Sequence, residues 1–359
     1  MDIFNNWTLI DIYQMLFVHK FKSQHIIDFV DKFNSLDDFY KTFPKIESEL
    51  IGDKHKFYQD KIENIIKVCL DSDIEIITYW QANYPPKLRE ISSPPLILYK
   101  KGLFNFGDQK FISVVGTRKY TTYGKLNTER FVSDLIKNDC VIVSGLATGI
   151  DTISHHSVLA NKGITIAVVA SGLNKITPLY ADNLAKEIIK NGGAIVSEYP
   201  PDEPAKIGYF PQRNRIVSGI SSATLVVESG EKGGSLITAR FAFEQNRLVF
   251  AIPGNITSEK SKGCNNLIKW DIAKICSDPS EILAELGWIN NYGNVKELKI
   301  NFTSELDKSV YELIKYEPVT IDFLLNSLDN NITEVSVSLF NLEFSGIIKQ
   351  LPGKQYVRK

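Results

Sequence analysis

Between Phe111 and Trp288 the chain alternates short, largely β-branched apolar runs with stretches of helical period, and no other feature limits its fold as strongly. The runs are Phe111–Val115, Val141–Ser144, Thr165–Ala170, Ala194–Ser197, Ala223–Val227 and Leu248–Ile252. Most are apolar throughout, as expected of parallel strands covered on both faces. A helix-forming stretch follows each of the first five. The pattern predicts a doubly wound α/β sheet, whose ligands gather beyond the carboxyl ends of the strands.

The flanks read differently. In residues 1–75, Leu9, Ile12, Leu16 and Phe17, then Ile26, Ile27, Phe29, Val30 and Phe33, and finally Ile62, Ile65, Ile66 and Cys69 fall at helical spacing, predicting a small helical unit. Tyr84-Pro85-Pro86 and Ser92-Ser93-Pro94-Pro95 then suggest extended connecting chain, because each proline restricts itself and the residue before it. Residues 289–303 are polar and aperiodic, as in a linker. Residues 304–359 carry three helical patterns, with Leu306, Val310, Leu313 and Ile314 on the first, Thr320 as a cap for the second and Thr333 opening the third. Gly346 then stops the third helix before a hairpin turning at Pro352-Gly353, which makes a winged-helix pattern. The expected division is a helical unit 1–75, the α/β unit 76–288, a linker 289–303 and a winged-helix unit 304–359.

Lys+Arg 41 against Asp+Glu 42 leaves a net charge of −1, so no bulk positive field draws the chain to nucleic acid and any anion site must be local. Cys69, Cys140, Cys264 and Cys276 form no C-x-x-C pair and have no histidine cluster between them, which argues against zinc and against a disulfide framework and for buried thiols. Met1-Asp2-Ile3-Phe4-Asn5 lacks the basic start of a secretion signal, and no apolar run approaches a membrane span. The expectation is a cytoplasmic protein with no membrane partner.

The unusual residues follow the strands. After the first run, Gly116-Thr117-Arg118-Lys119 leads to Thr121, Thr122 and Gly124 at a helix start, a candidate phosphate seat built from close backbone, unpaired N–H groups and the Arg118 fork; a glycine turn with a surface arginine fits the same residues. G-x-G-x-x-G is absent, so this is not the dinucleotide fingerprint. After the second run, Ser144-Gly145-Leu146-Ala147-Thr148-Gly149-Ile150-Asp151 offers a second loop of inward N–H groups. Asp151, at a helix start, reads as an N-cap before it reads as an acid or base, and His155 and His156 read as packing residues.

After the fourth run, Tyr209 and Phe210 stand between Lys206 and the pair Arg213 and Arg215, with Asn214 between them; aromatic faces among cations suit single-stranded nucleic acid, although a surface helix with a buried Phe fits as well. Arginines two apart on a helix point in different directions, so one of them can be structural. After the fifth run, Lys232-Gly233-Gly234-Ser235 resembles a phosphate loop in the wrong order for Walker-type hydrolysis. From Pro204 to Arg247 six basic residues (Lys206, Arg213, Arg215, Lys232, Arg240, Arg247) oppose three acidic ones (Glu228, Glu231, Glu244), a local balance of +3.

Six ordered blocks together resemble the DNA-processing protein A (DprA/Smf) family: Val114-Val115-Gly116-Thr117-Arg118; Ser144 through Asp151 with His155; Ile166-Ala167-Val168 with Gly172-Leu173; Phe210-Pro211-Gln212-Arg213-Asn214-Arg215; Gly234 through Arg240; and Ala251-Ile252-Pro253-Gly254. They cover about 80–290. Leu342-Glu343-Phe344-Ser345-Gly346, Gln350-Leu351-Pro352-Gly353 and Tyr356-Val357 look like the family's winged-helix module, and the N-terminal helices fit its SAM-like or helix-hairpin-helix domain. The chain departs from the commoner form at Lys232-Gly233-Gly234 and at Ser154.

The resemblance implies an extended Rossmann-like fold that binds single-stranded DNA without catalysing a reaction and without a cofactor or metal. It also implies loading of RecA recombinase past single-strand binding protein, and a homodimer formed through the Rossmann domain. Carried onto this chain, the phosphate pocket uses Gly116, Thr117, Arg118, Ser144, Gly145 and Gly149, Phe210 stacks on a base, and Lys206, Arg213, Asn214, Arg215, Lys232, Gly234 and Ser235 complete the surface. An alternative is a nucleotide phosphoribohydrolase of the lysine-decarboxylase-like family. Its P-G-G-x-G-T-x-x-E loop is missing, and alignment on Gly233-Gly234 puts Arg240 where the carboxylate belongs. A transcription regulator is disfavoured because the third C-terminal helix lacks the Arg and Lys a reading helix needs.

Overall fold

The computed structural model describes residues 2–4, 6–17, 19–48, 53–177, 179–289, 302–315, 317–328 and 330–358. A short ribbon of β1 (Asp2–Phe4) and β2 (Trp7–Thr8) precedes α1 (Leu9–Phe17), α2 (Ser23–Lys32), α3 (Leu36–Thr42), α4 (Pro44–Ser48) and α5 (Asp53–Asp71). The expected apolar faces are used: Leu9, Ile12, Ile26, Val30 and Ile62 are buried. Sequence period missed α3, which starts because the Ser35 hydroxyl accepts the Asp38 N–H. The N-terminal core is continuous with one face of the main sheet, since Trp7, Phe39 and Tyr13 share a cluster with Tyr99, Ala167 and Ile195.

The main unit runs β3 (Glu75–Thr78), α6 (Pro86–Arg89), β4 (Ile97–Lys101), β5 (Lys110–Val115), α7 (Thr122–Ile136), β6 (Cys140–Ser144), α8 (Ile150–Ala160), β7 (Thr165–Val168), α9 (Leu179–Lys190) and β8 (Ala194–Ser197). It continues through α10 (Tyr209–Ile220), β9 (Ala223–Val226), α11 (Ser235–Glu244), β10 (Leu248–Ala251), α12 (Lys262–Lys269), β11 (Lys274–Ile275) and α13 (Pro279–Glu285). All six expected runs are strands, β5 to β10, and the nine-stranded order is β11-β10-β9-β5-β6-β7-β8-β4-β3. Strands β5 to β11 are parallel where they pair.

One expectation needs correction. The proline-bounded stretch read as extended connecting chain holds the short helix α6, and strand β4, unexpected from the sequence, follows Pro95 and lies antiparallel to β8 with Tyr99 opposite Ser197, carrying β3 on its other edge. Its two lysines disguised it. Lys100 is buried, and it lies in a strand because its ammonium meets Glu75 Oε2 at 2.6 Å and donates to the Phe104 carbonyl at 2.8 Å.

The strand order reverses at β5, which pairs with β6 on one side and β9 on the other. That is the topological switch point, where an open sheet leaves a crevice at its carboxyl edge.

The C-terminal unit comprises α14 (Glu305–Leu313), β12 (Val319–Thr320), α15 (Ile321–Leu328), α16 (Ile332–Phe344), β13 (Ile348–Leu351) and β14 (Gln355–Arg358), a winged-helix arrangement around Val310, Leu324, Leu339 and Ile348. Thr320 caps α15 as expected, through Phe323 N–H at 3.3 Å. Helix α16 opens one residue before Thr333, and Asn331 caps it, accepting from Glu334 N–H at 2.9 Å. Gly346 ends α16 at φ +75. Most of the expected linker, at 290–301, lies outside the described residues. All four cysteines are free and buried, and burial pushes the Cys140 and Cys264 thiols up to about 12. Among the described residues no helix is long and apolar enough to cross a membrane.

Candidate functional site

Three loops meet at the carboxyl edge where the strand order reverses. The Thr117 N–H donates to the Glu228 carbonyl at 2.7 Å, and the Ile150 N–H donates to the Thr117 carbonyl at 3.2 Å. Such close contact needs glycine. A Cβ on Gly149, whose φ is +98, would stand 2.2 Å from the Thr117 carbonyl oxygen, and one on Gly116 would stand 2.5 Å from Ile150 Cγ1. These two glycines therefore lock loop to loop.

The expected phosphate seat at the start of α7 is already filled. Glu228, buried two residues beyond β9, accepts the Thr121 N–H at 2.8 Å and the Thr121 hydroxyl at 2.7 Å, so the protein's own carboxylate holds that helix end. Gly124 leaves room for it, since a Cβ there would lie 2.4 Å from Glu228 Oε2. The second expected loop is occupied too: Asp151 accepts the Gly145 N–H at 3.1 Å. Asp151 is not the N-cap of α8, a position held by Gly149, but a first-turn residue. Burial pushes its carboxyl up to about 6, against the pull of Arg213 and of backbone donors Ala147 and Gly145. Ser144 faces the core and donates to the Val114 carbonyl at 2.7 Å, stitching β6 to β5. His155 is fully buried, its Nδ1 2.8 Å from Thr165 Oγ1, and burial lowers its pKa to about 3.

What remains open is a pair of adjoining cavities of about 470 and 370 Å³ that share Arg118, Gly145, Ala147, Phe210 and Arg213. Arg118 is exposed, and its guanidinium carbon lies 5.9 Å from the centre of the Phe210 ring. The larger cavity extends to Lys119, Lys260 and the start of α11. Among the described residues Arg118, Lys119 and Lys260 form no ion pair, whereas Glu228 and Asp151 are engaged by backbone donors. Gly234, at the N-cap of α11, supplies no side-chain cap, and Ser235, also lining the cavity, points its hydroxyl to Ser229 Oγ at 2.9 Å. Free cations, an aromatic face and an uncapped helix start thus converge on one crevice.

The remaining candidates divide. Arg213 is buried beneath the crevice and donates to the Gly145 and Val168 carbonyls; its Nε reaches Asn214 Oδ1 at 3.1 Å. It braces the loop from below, with Asp151 and Arg118 as its charged neighbours. Arg215 turns to the other side of α10 and pairs with Glu198. Lys206 also lies away from the crevice, bound to Glu203 and to the Tyr209 hydroxyl. Lys232 is exposed and lines neither cavity. Sequence reasoning missed Lys260, which folds back from the loop after β10, and the capping role of Glu228. A lone acid closing a buried strand at the switch point was the available signal for the latter.

The model of the DNA recombination-mediator protein A family matches residues 75–287, and that of the DprA winged helix domain matches 301–354. Protein Smf of Escherichia coli is 36% identical over 77% of this chain and 75% of its own length; protein Smf of Synechocystis is 31% identical over 91% and 93%. The X-ray structure of DNA processing protein A from Streptococcus pneumoniae covers 77% of this chain and 98% of its own, at 31% identity and a TM-score of 0.63. The structure of DNA processing protein A from Helicobacter pylori, described for its single-stranded DNA binding mode, covers 59% and 95%, at 29% identity and a TM-score of 0.54. On the ordered motifs, the nine-stranded sheet and these matches, the chain belongs to the DNA recombination-mediator protein A family.

Proposed function

We propose that the chain is a cytoplasmic, non-catalytic single-stranded DNA-binding protein that protects incoming DNA and loads RecA recombinase onto it during natural transformation, displacing single-strand binding protein. The α/β unit 76–288 carries the strand, the winged-helix unit 304–359 serves a protein contact, and a second copy docks through the Rossmann domain. The observation that carries this reading is the unpaired Arg118 laid over Phe210 at the switch point, with Lys119 and Lys260 beside it. Stacking holds any base and the cations hold any phosphate, so the recognition is indifferent to sequence. The carboxylates within reach, Asp151 and Glu228, support the non-catalytic reading because both are spent on backbone donors. The winged helix favours a protein contact, because α16 contains no Lys or Arg and exposes Val337, Phe340 and Phe344.

The test is a mobility shift with single- and double-stranded oligonucleotides of one sequence, beside a nucleotide-hydrolysis assay. Preference for the single strand with no hydrolysis supports the proposal; equal affinity, or base release from a nucleotide, overturns it. Recombinase loading is read separately, as RecA filament growth on DNA pre-coated with single-strand binding protein.

A further inference from the structure

A third cavity, of about 900 Å³, lies on the opposite side of the start of α10, between the N-terminal helices and the carboxyl end of β8. Two aromatic pairs line it. Tyr13 and Phe17 of α1 stack at 5.5 Å on one side, and Tyr199 and Tyr209 stack at 3.8 Å on the other. Its charged members lie outside the first crevice: Arg215 paired with Glu198, Lys206 paired with Glu203, Lys61 of α5, and Asp202, whose carboxylate accepts from the Asn174 side chain at 3.1 Å. The Arg215–Glu198 pair is largely withdrawn from water, and Arg215 Nη1 has no partner at all.

We propose that this cavity is a second binding site, for one nucleotide unit, with its base against Phe17 and Tyr209, the accessible rings of the two pairs, and its phosphate on Lys61 and Lys206. Planar rings beside flexible ammonium groups are the chemistry that recognises a base bearing a phosphate. Tyr209 and Phe210 are consecutive at the start of α10 and face different cavities, so a strand seated on Phe210 crosses the exposed Lys206–Gly208 turn to place its next base here. The strand version of the proposal rests on the function proposed above; a free nucleotide would meet the same groups.

Calorimetry of the full chain with deoxyguanosine monophosphate, with deoxyguanosine and with ribose 5-phosphate tests it, in wild type and in Lys206→Ala, Asn64→Trp, Arg118→Ala and Asn64→Trp/Arg118→Ala. Asn64 is an exposed α5 residue at the cavity wall, so the indole fills the space without touching the core. The expected result is a binding event that needs both base and phosphate, persists in Arg118→Ala, where the switch-point crevice is disabled, is weakened about tenfold by Lys206→Ala, and is absent from Asn64→Trp/Arg118→Ala with the melting temperature of Arg118→Ala. Competition by an oligonucleotide assigns the site to the strand, and its absence assigns it to a free nucleotide. Binding lost only in Arg118→Ala, or no binding to wild type together with unaltered oligonucleotide affinity in Asn64→Trp, overturns the proposal. An oligonucleotide affinity untouched by Arg118→Ala instead refutes the switch-point reading and leaves the nucleotide result to be judged alone.

Discussion

Phe210 and Arg118 act as one device, and removing them singly and together exposes it. The ring is half-buried at the start of α10 and the guanidinium lies over it at 5.9 Å, with no carboxylate competing for the charge. Truncating a ring that stacks on a base costs about 1–3 kcal/mol, so Phe210→Ala is expected to weaken binding by roughly 5- to 150-fold. Arg118→Ala deletes one phosphate contact, which lowers the slope of log K against log salt by about 0.7 for a single strand. The ring also holds the arginine in place, an interaction worth about 0.5–1 kcal/mol at an exposed site, so the double variant loses less than the sum by about that amount. The assay is fluorescence anisotropy of a labelled single strand across roughly 50–200 mM salt. Strictly additive losses would show that the two residues do not cooperate, and an unchanged salt slope in Arg118→Ala would refute its contact with phosphate.

Arg213 and Arg118 are expected to part company in stability. Arg213→Ala leaves the Gly145 and Val168 carbonyls unpaired in the core and costs about 2–5 kcal/mol, whereas Arg118→Ala stays within about 0.5 kcal/mol of wild type in chemical denaturation. Gly149→Ala forces a side chain onto a backbone at φ +98 and against the Thr117 carbonyl, so it lowers stability by at least about 1–3 kcal/mol and weakens DNA binding with it; a wild-type melting temperature would contradict the loop-locking role. Because Asp151 is raised from 3.8 to about 6, the folded protein holds a proton between those values that the unfolded chain has released. Its contribution to stability therefore falls as pH rises from about 4 to 6, by about 3 kcal/mol, and the difference between wild type and Asp151→Asn in denaturation at several pH values should show that slope. Parallel pH profiles for the two proteins would refute it.

The sheet was legible because its strands are buried on both faces, which leaves short apolar runs such as Ala194–Ser197 recurring between stretches of helical period. Strand β4 was not, because its two lysines look like surface until Glu75 and Phe104 are brought to Lys100. The crevice itself was half legible. Arg118 and Phe210 could be named from their neighbours in the chain, but Arg213 and Arg215 leave α10 toward different cavities, and Lys206, in the loop before it, is turned away by Glu203 and Tyr209. The glycine loops misled for a physical reason: backbone N–H groups that look available for an anion are equally available to one of the protein's own carboxylates, from a distant loop or from the helix that follows. Glu228 and Asp151 took that role. Lys260 entered the crevice from a loop that no local pattern connects to Arg118.

The direct test of where the strand lies is photo-crosslinking of an oligonucleotide carrying 5-iodouracil, followed by peptide mapping. A base stacked on the ring should give an adduct on the peptide that holds Phe210, lost in Arg118→Ala under conditions where the fold is intact. Adducts confined to the winged-helix unit, or distributed along the chain without regard to Phe210, would contradict a strand held at the switch point.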